Sequence, residues 1–294
     1  MGADYAPLDR LKLIPERVRA GLYIDLGHSI DDTTLVVSTG RSGSTWIAEI
    51  INHRNEYRLV FEPFRGDRVR RARPIRRGEY LDPHEQGHAL SATIDALLSG
   101  RVRSWWTDAH SHRRLARARI VKEVRITNLL PWIRARHPGL RIVYAVRDPI
   151  EVARSWLELG WGDDLDEVLA HEQLLERFAH LATPIDEIAS RGDLLERHVL
   201  RWCLENAIPL TSHAQLDLHL VVYERLRAEP LPEVERLFTY LGRDATGAEA
   251  SVRRPSATAA FPRVREVTFT HAQRDRAREI VSLFGLTEST PIAD

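Results

Sequence analysis

An apolar run, Leu35-Val36-Val37, passes through Ser38-Thr39-Gly40-Arg41-Ser42-Gly43-Ser44-Thr45 into Trp46, Ile47, Ile50 and Ile51. The β-branched run reads as a buried strand. The spacing after it predicts an apolar stripe on a helix that starts near Ser44. A strand, a glycine loop and a helix in that order are the opening unit of an open α/β sheet. The loop also has chemistry of its own. Gly40 and Gly43 permit a tight path, and backbone N–H groups converge at the helix start, where partial positive charge favours an anion. Arg41 adds a fixed cation, and Ser42, Ser44 and Thr45 add hydroxyl donors. This is a site for a phosphate-like or sulfate-like group, although an ordinary strand-to-helix turn has the same Gly/Ser composition.

A second unit of this kind follows. Arg141-Ile142-Val143-Tyr144-Ala145-Val146 reads as a strand ending at Arg147; Asp148 can cap the next helix and Pro149 suits its first position. Further strand candidates are Arg58-Leu59-Val60-Phe61, Ile120-Val121 ending near Lys122, and His219-Leu220-Val221-Val222-Tyr223. Strands alternating with helices predict a P-loop-like, mostly parallel sheet flanked by helices. Residues 162–214 read as wholly helical, residues 246–265 as a loop, and His271 to Phe284 as a last helix with Gly285 past its end. Without repeats or a clear linker, residues 1–294 read as one domain. Core strands and motifs lie at about 33–260, with variable acceptor-side segments at about 65–119 and 162–214.

The balance of 42 basic and 42 acidic residues excludes a dedicated nucleic-acid binder, which carries a basic surplus. All basic residues except Lys12 and Lys122 are arginine, so only their placement is informative. Cys203 is the sole cysteine, which leaves no intramolecular disulfide and no cysteine-based zinc site. Residues 1–26 show no basic-then-apolar leader, and no apolar run is long enough to span a bilayer. The expectation is a cytoplasmic protein without stable membrane insertion. His110 and His112 have metal-ligand types but no evident third partner, so no metal is expected. The sequence leaves the oligomeric state open.

The loop departs from the nucleoside-triphosphate motif, which needs four residues between its glycines and a lysine after the second. A P-loop-type small-molecule kinase therefore becomes the alternative rather than the reading. Arg41-Ser42-Gly43-Ser44-Thr45, continuing into a helix and then Phe61-Glu62-Pro63, resembles the 5′-phosphosulfate loop of sulfotransferases that use PAPS (3′-phosphoadenosine 5′-phosphosulfate), most of all the carbohydrate branch. Val146-Arg147-Asp148-Pro149, with Ser155 eight residues after the arginine, resembles that family's 3′-phosphate motif. Tyr223-Glu224-Arg225-Leu226 resembles its Y-E-D-L segment, with Arg225 in place of the acid. Lys122-Glu123-Val124-Arg125 resembles a segment preceding the second motif. These matches run in the family's order over residues 34–260.

The resemblance implies a sulfotransferase with PAPS as donor and PAP as product. The loop from Gly40 to Trp46 would hold the 5′ end, and Arg147 and Ser155 the 3′-phosphate. Arg253, Arg254 and Ser256, in the late run Arg253-Arg254-Pro255-Ser256-Ala257-Thr258, would close over the same nucleotide. Trp46 either stacks on the adenine or packs in the core. Arg41, the only charged residue inside the loop, would neutralise the leaving oxygen. Glu62, in its Phe-Glu-Pro context, is the expected general base. Histidine bases occur in other branches, and His84, His88, His110 and His112 are not distinguished by local pattern. The acceptor is expected to be a small molecule or glycan. Its binding surface is not legible: the arginines at 65, 68, 70, 71, 73, 76 and 77 either meet an anion or form a solvated loop. A non-catalytic nucleotide-binding protein is the third reading.

Overall fold

The computed structural model describes residues 24–254, 256 and 261–286. Most of the N-terminal segment, and Pro255, Ala257 and Thr258 of the late run, lie outside the described residues.

Five strands form one parallel sheet. They are β2 (Thr33–Ser38), β3 (Arg58–Phe61), β5 (Arg119–Glu123), β6 (Arg141–Val146) and β7 (His219–Val222), in the order β3-β5-β2-β6-β7. A two-residue parallel pair, β1 (Ile24–Asp25) with β4 (Leu115–Ala116), stands apart. Strand side chains alternate between faces, and the sequence exploits this. Val36, Ile120, Val143, Ala145 and Val221 point to one face, against Ile47, Ile50 and Ile51 of α1 (Ser44–Ile51) and against Leu237 and Phe238. Leu35, Val37, Val121, Ile142, Tyr144 and Val146 point to the other. There they meet Val152, Ala153 and Trp156 of α2 (Pro149–Glu158) and Trp202 and Cys203 of α3 (Leu194–Thr211). Covered on both faces, the strands need no polar side, which is why they read as continuous apolar runs.

The mostly parallel sheet flanked by helices is as expected, and most elements fall within a residue or two of their expected ends. Two differences have local causes. The 162–214 segment is not one helical run. It breaks near Ala170, near Arg177 and at Gly192, after which Asp193 and Glu196 form a capping box that starts α3 afresh. Among the described residues of the 246–265 loop there is one short helix, Glu249–Val252. Among the described residues, no helix is long and apolar enough to cross a membrane.

Every parallel strand has its C-terminal end on the same edge, the edge where ligands bind in open α/β sheets. Ser38, Glu62, Lys122, Arg147 and Tyr223 are all at or just beyond such an end.

Candidate active site

The loop after β2 is built mainly from its own hydroxyls. Ser38 Oγ lies 2.7 Å from Thr39 O and 2.8 Å from Ser44 Oγ, and Thr39 Oγ1 lies 2.9 Å from Ser42 Oγ. Ser42 therefore shapes the loop. Ser38, whose single proton the Thr39 carbonyl can take, ties the strand end to Ser44 at the helix start. Gly43 caps α1 at φ 87°, and a Cβ there would lie 2.6 Å from Tyr223 Cδ2. Tyr223 thus rests directly on the loop, where only a glycine leaves room. Trp46 is half-buried, packs beside the α1 core and meets Tyr223 edge-on at 5.8 Å between ring centres.

The two anion motifs meet. Arg41 Nε donates to Ser155 Oγ at 3.1 Å, and Arg147 Nη1 donates to Arg41 O at 3.2 Å. Trp156 Nε1 donates to Gly40 O at 3.1 Å, so α2 holds the loop at two points. Arg147 is stacked over the Tyr223 ring at 4.7 Å. Burial, then the neighbouring Arg147, lowers the pKa of Arg41. Two arginines this close favour a shared anion.

Of the late loop, Arg253 and Arg254 are exposed. Among the described residues of this region, Phe261 has its ring centre 5.6 Å from the Arg41 guanidinium, and Arg263 is a charged neighbour of Arg41. Spacing alone could not single these out, because the loop's path is set by tertiary contacts such as Val264 N to Glu158 O at 2.8 Å.

Glu62 lies at the end of β3, and its N–H donates to Lys122 O at 2.8 Å. Its carboxylate is largely buried. Lys122 Nζ is 2.6 Å from Oε1, and Arg65 Nη1 is 3.6 Å from Oε2. Burial alone would raise its pKa, but Lys122 and Arg65 outweigh that and hold it below the usual carboxylate value. Glu123, fully buried next door, goes the other way. Burial and the nearby Glu62 charge push it up to about 6.

Backbone strain marks the same two residues. Among the described residues, five non-glycines have positive φ: Arg41, Asn55, Glu62, Asp164 and Asp217. Asn and Asp tolerate the left-handed region, whereas Arg and Glu seldom enter it. Arg41 at 71° and Glu62 at 41° are the two outliers by residue type, and such strain concentrates at functional sites.

Several further residues join the site without a sequence signal strong enough to give them a role. Lys122 and Tyr223 lay inside recognisable segments, but their contacts with Glu62 and Gly43 are tertiary. His110 lies against Phe61, with ring centres 4.3 Å apart, and burial followed by Lys122 lowers its pKa, which keeps the ring neutral. That contact separates it from His84, His88 and His112. Among the described residues no group of three His, Cys, Asp or Glu side chains is arranged to hold a metal ion.

The family model for the sulfotransferase domain matches residues 31–281. The chain belongs to the sulfotransferase domain family, whose chemistry is sulfuryl transfer. Two solved structures are similar to it. One is the sulfotransferase domain from the curacin biosynthetic pathway, 13% identical with a TM-score of 0.47, covering 89% of this chain and 99% of that one. Another is sulfotransferase STF9 from Mycobacterium avium, 11% identical with a TM-score of 0.48, covering 97% of this chain and 81% of that one. No curated protein gives a significant match.

Proposed function

We propose that this chain transfers the sulfuryl group of PAPS to a hydroxyl of a carbohydrate, glycolipid or small natural product. The observation that carries this reading is the hydrogen bond from Arg41 to Ser155, with Arg147 bound to the Arg41 carbonyl. PAPS differs from ATP in carrying a 3′-phosphate and a sulfate, so a selective site needs two anion clamps, and here two such motifs are joined. The fit is supported by the crowded like charges of Arg41 and Arg147, which an anion would relieve.

In this reading the loop N–H groups, Ser44 and Thr45 hold the 5′ end, and Arg147 and Ser155 hold the 3′-phosphate. Arg41 meets the charge that develops on the leaving oxygen. Phe261 and Arg263 cover the clamp from the late loop, with Arg253, Arg254 and Ser256 earlier in it. The acceptor oxygen attacks sulfur, the bond from sulfur to the bridging phosphate oxygen breaks, and PAP leaves with that electron pair. Glu62 takes the acceptor proton. It is ionised at neutral pH, as a base must be, and Lys122 and Arg65 hold it in place. Carbohydrate-type acceptors follow from the Phe-Glu-Pro resemblance.

The test is incubation with labelled PAPS and a panel of sugar, lipid and phenolic acceptors, beside titrations with PAP and ATP. Label transfer with tight PAP and weak ATP binding is expected. Preference for ATP would return the chain to the kinase reading, and PAP binding without transfer to any acceptor would leave a non-catalytic binding protein.

A further inference from the structure

The arginine run between residues 65 and 77 divides in the fold. Arg70, Arg71, Arg73 and Arg76 are exposed. Arg77 turns inward to pair with Glu205 at 3.3 Å. Arg65 and Arg68 fold back over Trp106, their guanidinium carbons 5.0 and 5.6 Å from its ring centre. Trp106 Nε1 donates to Glu62 O at 3.3 Å. The indole therefore holds Arg65 beside the carboxylate assigned as base, and Arg68, paired with Asp67 at 3.4 Å, next to it on the same ring.

Arg125, just after β5, belongs to the same group. Its backbone N–H donates to Glu123 Oε1 at 3.1 Å, but among the described residues its half-buried guanidinium makes no hydrogen bond or ion pair. Its charged neighbours include Arg77, Arg65, Glu123 and Asp67, and its own charge helps to lower the pKa of Glu62; burial followed by the two arginines lowers the pKa of Arg125. Both nearby acids already have other hydrogen-bond partners. Glu123 accepts from the backbone N–H groups of Phe64, Val124 and Arg125 at 2.8, 2.7 and 3.1 Å. Asp67 is gripped by Arg65 Nε through both oxygens, at 3.0 and 3.2 Å. A half-buried cation left unpaired among cations is unfavourable in the free protein. Such perturbed charges concentrate at functional sites.

The missing charge is not the donor's. Arg41 has Arg147, just after β6, and Arg263 among its charged neighbours, whereas those of Arg125 include Glu123 at the end of β5 and Arg65, Asp67 and Arg77 in the segment after β3. In the order β3-β5-β2-β6-β7, the two cationic groups occupy different parts of the edge, and Glu62 belongs to the second.

We propose that Arg125, with Arg65 and Arg68 held on Trp106, forms an oxyanion subsite for the acceptor. The acceptor would then carry a carboxylate, sulfate or phosphate near the hydroxyl that it presents to Glu62. Arginine's planar fork suits all three groups through paired hydrogen bonds. This inference rests on the sulfotransferase reading of the same site.

The test titrates glucuronate and inorganic sulfate into the full chain, with and without saturating PAP. Saturable binding to the PAP-loaded protein is expected, weakened about tenfold or more in Arg125→Gln and less in Arg125→Lys, as the loss of a charged hydrogen bond implies. Arg125→Gln should keep PAP affinity and change the melting temperature little, because the side chain it removes makes no hydrogen bond or close ion pair among the described residues. In parallel, 4-nitrophenyl glucuronide and glucoside are compared as acceptors, and wild type should prefer the glucuronide in kcat/KM while Arg125→Gln loses the preference. Absence of glucuronate and sulfate binding to the PAP-loaded protein, or equal binding by Arg125→Gln, overturns the subsite. If PAP itself does not bind, the donor reading fails, and the titrations without PAP still decide the subsite.

Discussion

Arg41 Nε and Ser155 Oγ are 3.1 Å apart although 114 residues separate them in the chain. One comes from the loop after β2 and the other from the second turn of α2. Their contact makes one clamp of two motifs. Arg41→Ala is expected to lower turnover by about 10²–10³-fold, the usual loss for a donor aimed at developing charge. Ser155→Ala should mainly weaken PAP binding, by about tenfold. In a double-mutant cycle the two losses should fall short of additive, because each variant already breaks the shared bond. Fully additive effects on PAP affinity would show that the bond does not couple the motifs.

Gly43 is irreplaceable for two separable reasons. A side chain at φ 87° is strained by about 1–2 kcal/mol, and its Cβ would lie 2.6 Å from the Tyr223 ring. Gly43→Ala should lower the melting temperature and weaken PAP binding. Adding Tyr223→Ser should recover the steric part of the stability loss and leave the backbone part. No recovery in thermal melts of the double variant would mean that Tyr223 does not press on the loop.

Glu62 and Lys122 form a mostly buried pair at 2.6 Å. Glu62→Gln should reduce kcat by about 10²–10⁴-fold while PAP affinity holds. Because Lys122 and Arg65 hold the Glu62 pKa below its ordinary 4.5, the base stays ionised as pH falls through the carboxylate range. The acid limb of kcat should therefore lie below that value. Lys122→Met should raise the limb and destabilise the protein by about 3–5 kcal/mol, since it strands a buried charge. A limb in the histidine range, or a Glu62→Gln enzyme of normal turnover, would transfer the role to His110.

His198 predicts a stability change with acid. It is fully buried and, among the described residues, neither ring nitrogen has a hydrogen-bond partner. Burial, then Arg201, lowers its pKa from 6.5 to about 4. Between those values the unfolded chain binds the proton and the fold does not, so stability falls as pH drops, by about 3 kcal/mol in full. Glu123 opposes this. Its raised pKa lets the fold take a proton first, which returns about 2 kcal/mol as pH falls from about 6 to 4.5. His198→Leu should remove the histidine contribution alone. Its melting temperature relative to wild type should rise steadily from neutral to about pH 5; a constant offset would sink the assignment.

Much of the frame was legible before any tertiary contact was known. The runs Leu35-Val36-Val37 and Ile142 to Val146 had to be buried strands, because they are apolar at successive positions and so lack a face for water. Gly43 required a tight left-handed turn, and Asp148-Pro149 announced a capped helix. These are local facts, fixed by dihedral preference and hydrophobic period. The breaks in the 162–214 segment were less legible, because its apolar spacing continues across the short interruptions.

The sequence by itself determined the strand, loop and helix unit, the two anion motifs and the layered architecture, since each depends on neighbours a few residues away. Only the tertiary structure decided which charges face one another. It brought Ser155 to Arg41 and Lys122 to Glu62, set His110 against Phe61, and separated Arg65 and Arg68 from the exposed arginines beside them. The reason is physical. A parallel sheet gathers the ends of strands far apart in the chain onto one edge, and electrostatic energy depends on those through-space distances and on burial, neither of which local spacing encodes.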